Sequence, residues 1–346
     1  MKITKDVFNQ QRLPRFGTSN PELMRMEFWE WMIRGDENFE KDEEGGLVGL
    51  GFVMRDGKLK SGYGPYRARD LFEVPLHREE GPIWTFDRDG ATRTELPDGR
   101  VVCIGGEHED YYDPDFNIYN DVVVLGPAGQ IEIYGYPNEV FPPTDFHTAT
   151  LVGNQIIIVG GLGCREARRS GHTPVYSLDP SNYQISKIEA SGEMPGWIFE
   201  HEAELQQNDI VLRGGQFIEE RGGEQLYRRN LEDLALDTRS GVWRRLTNRN
   251  WRQFSICQEK GGLFVLDHDV QVQDLIPKGS EPIAAAEGSH DERRFLVRGV
   301  PIRIIAGVKR IEIVVEGDLP AEIYCEMPEV FRSRVETLCK KKCALV

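Results

Sequence analysis

The chain has 346 residues, of which 39% are hydrophobic and 29% charged, a balance typical of a folded globular protein rather than a disordered one. Its 57 acidic residues outnumber the 42 lysines and arginines, and the net charge of −15 argues against a nucleic-acid partner because phosphate backbones would be repelled. No apolar run is long enough to be a secretory signal or a membrane span. We therefore expect no transmembrane segment and a cytoplasmic location, and the 6 cysteines are too few for a disulfide framework.

Three segments of the chain each consist of an apolar run that ends in a pair of glycines. They are residues 101–106, 156–161 and 210–215. The first glycines, Gly105, Gly160 and Gly214, are 55 and 54 residues apart. Runs that are apolar throughout are typical of strands buried on both faces. The spacing therefore predicts a repeated unit in which each run is a central strand.

Other features recur in step with the glycine pairs. Turn signals precede the runs at Asp98-Gly99, Gly153-Asn154 and Asn208-Asp209. Third strands are predicted at 121–125, 175–179 and 234–237, and fourth strands at 131–134, 183–188 and 242–243. Each repeat is thus predicted to be a four-stranded antiparallel sheet, with second strands that end at Ile104, Val159 and Arg213.

The order of these features resembles the kelch repeat over residues 82–275. The resemblance rests on a His-x-Ala element at His147 and at His201, the turn, four apolar residues with Gly-Gly, and a later Asp and Trp. It implies an all-β propeller built from kelch-like four-stranded blades, about five or six of them and some degenerate. Three regions are predicted: an N-terminal helix and loop segment (1–81), the propeller blades (82–280), and a C-terminal degenerate blade or small α/β element (281–346).

A propeller must close on itself, so further strands are expected outside the three clear repeats. The apolar run 263–266 predicts a degenerate fourth blade that lacks the glycines. The segment 83–87 is predicted to be an outer strand that completes the last blade and seals the ring. Residues 302–315 fit either another degenerate blade or a hairpin of an appended α/β element.

The two flanks of the repeats predict helices. Residues 20–34 predict a helix capped by Asn20, with Pro21 in the first position and an apolar side that packs on the propeller. Residues 328–340 predict an amphipathic helix. The last four residues, 343–346, follow three lysines and fit either a prenylation motif or a short C-terminal strand.

The start of each first strand and the end of each second strand lie at the same rim of an antiparallel sheet, so polar residues there are expected to converge. The candidate ligand-binding residues are Arg93, Glu107, His108, Asp145, His147, His201 and Arg213. Convergent polar groups at a concave mouth are the usual sign of a binding or active site. The imidazoles of His108, His147 and His201 are the candidate metal ligands. A divalent transition metal is the cofactor that this interpretation allows, and no other is assigned.

A structural interpretation of the histidines stays open. His147 and His201 are equivalent in successive repeats, so each fits a role in which it hydrogen-bonds backbone within its own blade. His108 has no counterpart in the other repeats. The acidic and aromatic segment 107–121 either binds a ligand or is held by Arg165, Arg168 and Arg169.

Two functions fit these sequence features. Kelch-like propellers are mostly interaction platforms, which predicts a module that binds a protein partner or a small polar ligand through its rim loops and channel mouth. Some propellers of this kind carry metal or sugar chemistry at the mouth, so the alternative is a metal-dependent lyase or isomerase with a His/Glu site. The Glu-x3-Asp-x3-His spacing that holds iron in nitrile-specifier proteins is absent from this sequence.

Overall fold

The structure, a computed structural model, describes residues 3–37, 52–55, 58–61, 72, 82–110, 113–221, 223–247, 249–262, 264, 272–277, 280–283, 292–307 and 309–346. The chain divides into two compact units, Met1–Leu246 and Thr247–Val346, so the C-terminal unit begins earlier than the predicted third region. The described residues are mostly in antiparallel strands, as expected from the sequence.

The described part of the chain contains three α-helices: α1 (Lys5–Gln11), α2 (Glu27–Glu37) and α3 (Ala321–Cys339). Two short 3-10 segments lie at Arg165–Ala167 and Val272–Leu275. Of the helices described, not one combines the length and the hydropathy that crossing a membrane requires.

The first unit contains 21 strands in the described residues. They are β1 (Glu22–Leu23), β2 (Phe52–Arg55), β3 (Lys58–Ser61), β4 (Thr92–Glu95), β5 (Val101–Ile104), β6 (Glu107–Asp110), β7 (Asp113–Ile118), β8 (Val122–Leu125), β9 (Ile131–Gly135), β10 (Thr148–Val152), β11 (Gln155–Val159), β12 (Val175–Leu178), β13 (Ile185–Lys187), β14 (Ser191–Gly192), β15 (Trp197–Phe199), β16 (Glu202–Gln206), β17 (Asp209–Arg213), β18 (Gln216–Arg221), β19 (Glu224–Arg229), β20 (Leu234–Asp237) and β21 (Val242–Arg245).

Three sheets of this unit share one order of strands. Sheet I is β4-β5-β8-β9, sheet II is β10-β11-β12-β13, and sheet III is β16-β17-β20-β21, all antiparallel. Strands β1 and β14 add a fifth strand to sheets I and III. The second strands end at Ile104, Val159 and Arg213, which confirms that prediction at each residue. The first strand of sheet II lies between the first strands of sheets I and III.

The sheets pack face to face through alternate residues of the apolar runs. Val102 and Ile104 face Ile156 and Ile158, which forms the core between sheets I and II. Ile157 and Val159 face Ile210 and Leu212 in the core between sheets II and III. The middle run is therefore buried on both faces, as its continuous apolar character predicts. The described residues contain no closed ring of sheets.

The free face of sheet I is covered by the N-terminal helices. Phe8 of α1 and Phe28 and Trp29 of α2 are fully buried in a cluster with Cys103 and Val123 of sheet I. Burying large aromatic side chains is among the strongest contributions to a core. Helices α1 and α2 thus pack on sheet I and occupy the face where a further sheet would pack.

The free face of sheet III carries charged side chains on either side of an apolar residue. Asp209 and Arg213 share this face with the buried Val211, whereas Ile210 and Leu212 point into the core shared with sheet II. Arg213 pairs with Glu204 on β16, and Arg244 on β21 pairs with Asp209 across the intervening strand β20. A charged outer face is typical of the terminal unit of a repeat array, because an apolar one would be exposed to water.

The predicted sealing strand at 83–87 is wrong, because the structure has no strand there. Ile83 and Trp84 are instead fully buried against α2, and the Trp84 ring stacks on Trp29 with 4.7 Å between centroids. The Trp84 indole N–H donates to Asp121, 3.0 Å away. The apolar residues that suggested a strand are instead part of the core between the N-terminal helices and sheet I.

The predicted helix 20–34 begins later than expected. Helix α2 starts at Glu27, and β1 before it pairs with the edge strand β9 of sheet I. The Asn20 side chain does not cap the helix, because it donates to Ile185 O at 2.7 Å and accepts from Ile185 N at 2.9 Å. The Asn20 side chain thus bonds the backbone N–H and C=O of the edge strand β13, as a neighbouring strand would, at the outer edge of sheet II.

The second unit is a six-stranded sheet packed against α3. Its strands are β22 (Arg252–Gln258), β23 (Glu281–Ile283), β24 (Glu292–Val297), β25 (Val300–Ala306), β26 (Arg310–Val315) and β27 (Cys343–Leu345), in the order β23-β24-β25-β26-β22-β27. Residues 302–315 form the hairpin β25–β26 of this sheet, so the appended α/β element is the alternative that the structure supports. The predicted degenerate blade at 263–266 lies almost wholly outside the described residues.

Helix α3 starts seven residues before the predicted first residue, Pro328. Met327, Phe331, Val335 and Cys339 form one buried stripe, which continues the predicted apolar pattern upstream past the proline. The helix continues through Pro328 although proline removes one helical hydrogen bond. At the chain end, β27 pairs with β22 and Cys343 is buried, so the short-strand alternative is the one observed.

Candidate functional site

The glycine pairs lie where neighbouring sheets meet. Gly106 N donates to Thr144 O and Gly161 N to Ile198 O, both at 2.8 Å, so the first two pairs are bonded to the chain that leads into the next sheet. We call this end of the three sheets the glycine rim. It consists of the three glycine pairs and the segments that follow them, 107–121, 162–174 and 216–233.

The chain enters each sheet at this rim in the same left-handed conformation. The residues concerned are Gly90, Phe146 and Glu200, with φ of 65°, 52° and 55°. Phe146 N donates to Gly90 O at 2.8 Å, and Glu200 N donates to Phe146 O at 2.9 Å. A positive φ is costly for residues other than glycine, so its recurrence at equivalent positions indicates a constraint of the repeat.

Each histidine that begins a first strand is hydrogen-bonded to a threonine of the preceding sheet. His147 Nε2 lies 2.9 Å from Thr92 Oγ1, and His201 Nε2 lies 2.9 Å from Thr148 Oγ1. We call these two contacts the histidine clasps. Both imidazoles are buried, and burial lowers the pKa of His147 to about 3 and that of His201 to about 4. The clasps therefore use neutral imidazoles.

The two ends of the array lack one half of a clasp. Sheet I has Ala91 at the histidine position, and sheet III has Glu202 at the threonine position. A clasp needs a histidine from the following sheet and a threonine from the preceding one. The sequence therefore supplies two clasps for two junctions, in agreement with an array of three sheets.

The clasps bear on the predicted metal site. Among the described residues, no group of three or more His, Cys, Asp or Glu side chains is arranged to hold a metal ion. The Nε2 atoms of His147 and His201 are directed at hydroxyl groups of two different sheets. The geometry thus favours the structural interpretation of these two histidines, although their partners are threonine side chains of the preceding sheet rather than backbone in their own. It gives no support to their joint coordination of a metal with His108.

The two predicted arginines lie on exposed strand positions. Arg93 is in β4 opposite Cys103, and Arg213 is in β17, where it pairs with Glu204 at 3.2 Å. Arg213 belongs to the polar free face of sheet III described above. These contacts do not join either arginine to the remaining candidates, Glu107, His108 and Asp145.

Glu107 and Asp145 both lie at the junction of sheets I and II, where Gly106 N donates to Thr144 O. Asp145 is fully buried, and one of its oxygens accepts from Gly163 N at 2.6 Å. Its other oxygen, Oδ2, is buried and has no hydrogen-bond partner in the described part of the chain. Burial raises the pKa of Asp145, which favours the protonated form of this carboxyl.

Arg168 is the cation that acts on Asp145, whose pKa its charge lowers against the effect of burial. Its own N–H groups are directed at neutral acceptors: Leu162 O, Gly163 O, Gln225 Oε1 and Tyr227 Oη, at 2.8 to 3.2 Å. These bonds tie segment 162–174 to the hairpin β18–β19. They do not involve segment 107–121, for which the sequence suggested this arginine as a partner.

Glu107 and Asp145 have apolar counterparts at the junction of sheets II and III. Leu162 N bonds to Asp145 O as Glu107 N bonds to Asp89 O, so Leu162 stands at the position of Glu107. Phe199, which precedes Glu200, stands at the position of Asp145. Leu162 packs against the cluster that contains Phe199. The repeat therefore accepts an apolar pair here, and its architecture does not require the carboxyls.

The three rim segments differ in structure. Segment 107–121 contains the hairpin β6–β7, in which Phe116 is 51% exposed. Segment 162–174 contains the 3-10 turn Arg165–Ala167. Segment 216–233 contains the hairpin β18–β19, which pairs with β15. Segments of different structure thus follow the glycine pair at equivalent positions of the three repeated sheets.

Comparisons with known proteins give distant structural likenesses. No protein-family model and no curated protein matches it. Among solved structures, that of YjhT aligns with 66% of this chain and 81% of its own at 15% identity and a TM-score of 0.36. MPT-4, a mannose phosphorylase from Leishmania mexicana in complex with phosphate ion, aligns with 75% of this chain and 93% of its own at 9% identity and a TM-score of 0.21. Likenesses at these values do not bear on function.

Proposed function

We propose that the first unit is an open array of three kelch-like blades that binds a protein partner through the glycine rim. The observation that carries the proposal is a contrast. Sheets I, II and III share one strand order, whereas the rim segments that follow their glycine pairs differ in structure. Loops that vary on a rigid scaffold are the usual location of binding residues. The two clasps and the buried cores between the sheets supply that rigidity.

Two further features favour a binding module. The exposed Phe116 places a large aromatic side chain on the rim, and aromatic residues are enriched among the residues that dominate interface energies. Two of the three histidines that suggested catalysis, His147 and His201, are occupied in the clasps. The alternative, a metal-dependent lyase or isomerase, finds no set of ligands among the described residues.

Replacing Phe116 by alanine is expected to reduce partner binding without unfolding the protein, because the side chain is half exposed. Loss of a central aromatic contact weakens an interface by about tenfold or more. The measurement is quantitative mass spectrometry of cross-linked partners captured on the immobilised wild-type and variant chains. Leu205→Ala is the matched control, because Leu205 is 38% exposed but lies in β16, next to the β16–β17 turn at the opposite end of sheet III.

The expected pattern is a partner retained equally by wild type and Leu205→Ala and depleted on Phe116→Ala. If all three chains capture the same proteins in the same amounts, the rim around Phe116 is not the binding surface.

A further inference from the structure

We infer that segment 162–174 of the glycine rim binds a short acidic stretch of the protein partner through Arg165 and Arg169. The inference deepens the proposed function and rests on it, since it names the kind of side chain that the rim recognises. Aspartate and glutamate carboxylates match the planar fork of a guanidinium, which binds them through two parallel hydrogen bonds.

The fold leaves the positive charge of this segment unbalanced. The segment contains three arginines, Arg165, Arg168 and Arg169, and one carboxylate, Glu166. Arg168 and Arg169 donate their hydrogen bonds to neutral oxygens. Arg165 is exposed, and its side chain makes no hydrogen bond or ion pair with the residues that the structure describes. A cluster of cations without carboxylate partners is therefore present on the rim.

This cluster differs from the arginines at the other two rim segments. Asp121 of segment 107–121 pairs with Arg88 at 2.5 Å, and Glu219 of segment 216–233 pairs with Arg228 at 2.8 Å. Acidic residues exceed lysines and arginines by 57 to 42, so carboxylates are the more abundant charge in this chain. An acidic group from a partner would supply the ion pairs that the arginines of segment 162–174 lack within the fold.

The Arg169 guanidinium is held in place without loss of its charge. Its Nη1 donates to Glu166 O and to Arg168 O, both at 2.8 Å. A guanidinium has further N–H donors on Nε and Nη2. Those of Arg169 make no hydrogen bond to the described residues, and Arg169 is exposed. The Nε–Nη2 edge is one that binds a carboxylate in a bidentate manner, so Arg169 is oriented by the protein and has an edge to offer.

The segment that carries these arginines is fixed to its neighbours. Near its start, Gly163 N donates to Asp145 Oδ1 at 2.6 Å, and near its end Thr173 Oγ1 donates to Gly196 O at 2.7 Å. Between them, Arg168 bonds the segment to the hairpin β18–β19. A surface that is held before its partner arrives loses less conformational entropy on binding. The arginines are thus presented on a supported loop.

The net charge of −15 does not prevent this contact. Interactions between exposed charges are largely screened beyond about 8 Å at physiological ionic strength. A short acidic stretch is therefore governed by the charges next to it, which in this segment are three arginines and Glu166. A long polyanion such as a nucleic acid would also meet the acidic remainder of the surface. An acidic loop of a protein fits the charge distribution better.

The test uses the full chain and a fluorescein-labelled hexaglutamate amide as the probe, with fluorescence anisotropy at about 0.15 M salt. Arg165→Gln/Arg169→Gln should bind the peptide about tenfold more weakly than wild type or worse, because charge-assisted hydrogen bonds are lost. Arg239→Gln/Arg298→Gln is the matched control, since it removes the same charge from two exposed positions outside the rim. The control should bind like wild type.

Arg165→Lys/Arg169→Lys separates the bidentate contact from attraction to positive charge alone. Lysine keeps the charge but not the planar fork, so this variant should recover only part of the affinity. Recovery of the full affinity would contradict the bidentate contact.

Equal affinity of wild type and Arg165→Gln/Arg169→Gln would overturn the inference, as would the absence of peptide binding by wild type or an equal loss in the control. If circular dichroism shows that the double variant is not folded, Arg165→Gln replaces it. The Arg165 side chain makes no hydrogen bond to the described residues, so this single change should weaken binding without unfolding the protein.

The capture experiment with Phe116→Ala, repeated with Arg165→Gln/Arg169→Gln, distinguishes the two proposals. A partner that is depleted on Phe116→Ala but fully retained on the arginine variant would leave the rim as the binding surface and reject the acidic stretch. Unchanged capture by both variants would reject the rim itself.

Discussion

Replacing Gly160 by valine is expected to unfold or aggregate the protein. Gly160 has φ of 71°, and a Cβ there would lie 2.3 Å from Ile198 O and 2.8 Å from His201 Cε1. Both contacts are too short for real atoms, and Ile198 O belongs to backbone that cannot rotate away. Sheets II and III would have to separate where the second histidine clasp joins them. We expect a loss of about 3 kcal/mol or more in the free energy of unfolding.

Gly214→Val is the matched control, because Gly214 holds the equivalent position in sheet III. Its φ is 64°, but a Cβ there would meet nothing within 4 Å. This variant should therefore show only the cost of a left-handed valine, about 1–2 kcal/mol. Urea unfolding of the purified Gly160→Val and Gly214→Val variants measures both losses in the free energy of unfolding. Equal stability of the two variants would mean that the close approach of Gly160 to sheet III is wrong.

The strands of the repeat were predictable because their signals are local. An apolar run, a turn before it and a glycine pair after it lie within a few residues of each other, and the second strands end where these signals place them. The extent of the array was not predictable in the same way. It depends on what covers the outer faces, and the kelch resemblance implied a ring before those faces were known.

The signals for the ends of the array are nevertheless present in the sequence. Asp209 and Arg213 stand at the two ends of β17 on the same face, which marks that face as charged at its margins. Ala91 and Glu202 replace the residues of a clasp. Their meaning depends on a hydrogen bond between residues 55 positions apart, His147 and Thr92, and the local pattern contains no sign of such a contact.

The candidate site was predictable in its members and not in its pairings. Glu107 and Asp145 were both candidates, but they come from segments of two sheets that meet at a junction, and nothing in the spacing of the repeat requires carboxyls there. The sequence signal that distinguishes them is their difference from Leu162 and Phe199, which occupy the equivalent positions at the next junction. The threonines of the clasps were missed because a threonine at the start of a strand is common and carries no chemistry of its own.

Acid is expected to destabilise the first unit through the two histidine clasps. His147 and His201 are neutral in the folded protein, with pKa of about 3 and about 4, whereas an unfolded histidine has a pKa of about 6.5. A group with a lowered folded pKa binds more protons in the unfolded chain. Stability is therefore complete above about pH 6.5 and is lost as the pH falls from there towards 4.

The slope of that loss should approach about 1.4 kcal/mol per pH unit for each histidine, since one unit of pKa shift corresponds to that free energy. Asp145 acts in the opposite direction, because its raised pKa means that the folded protein binds its proton first. The net slope should therefore be smaller than the sum of the two histidine contributions. Carboxylates with lowered pKa, such as Asp209 and Asp237, add to the loss only at lower pH, below their unfolded pKa of about 4.

The measurement is urea unfolding of wild type and of the double variant His147→Gln/His201→Gln at intervals between about pH 7 and about pH 4.5. Glutamine keeps a hydrogen-bonding group for Thr92 and Thr148 and does not titrate. The double variant should be less stable than wild type near neutral pH and should lose less stability on acidification. Asp145 and the surface carboxylates are common to both proteins, so their contributions cancel in the difference. Parallel pH profiles for the two proteins would show that the clasp histidines are not held neutral, and the burial of both imidazoles between the sheets would then be wrong.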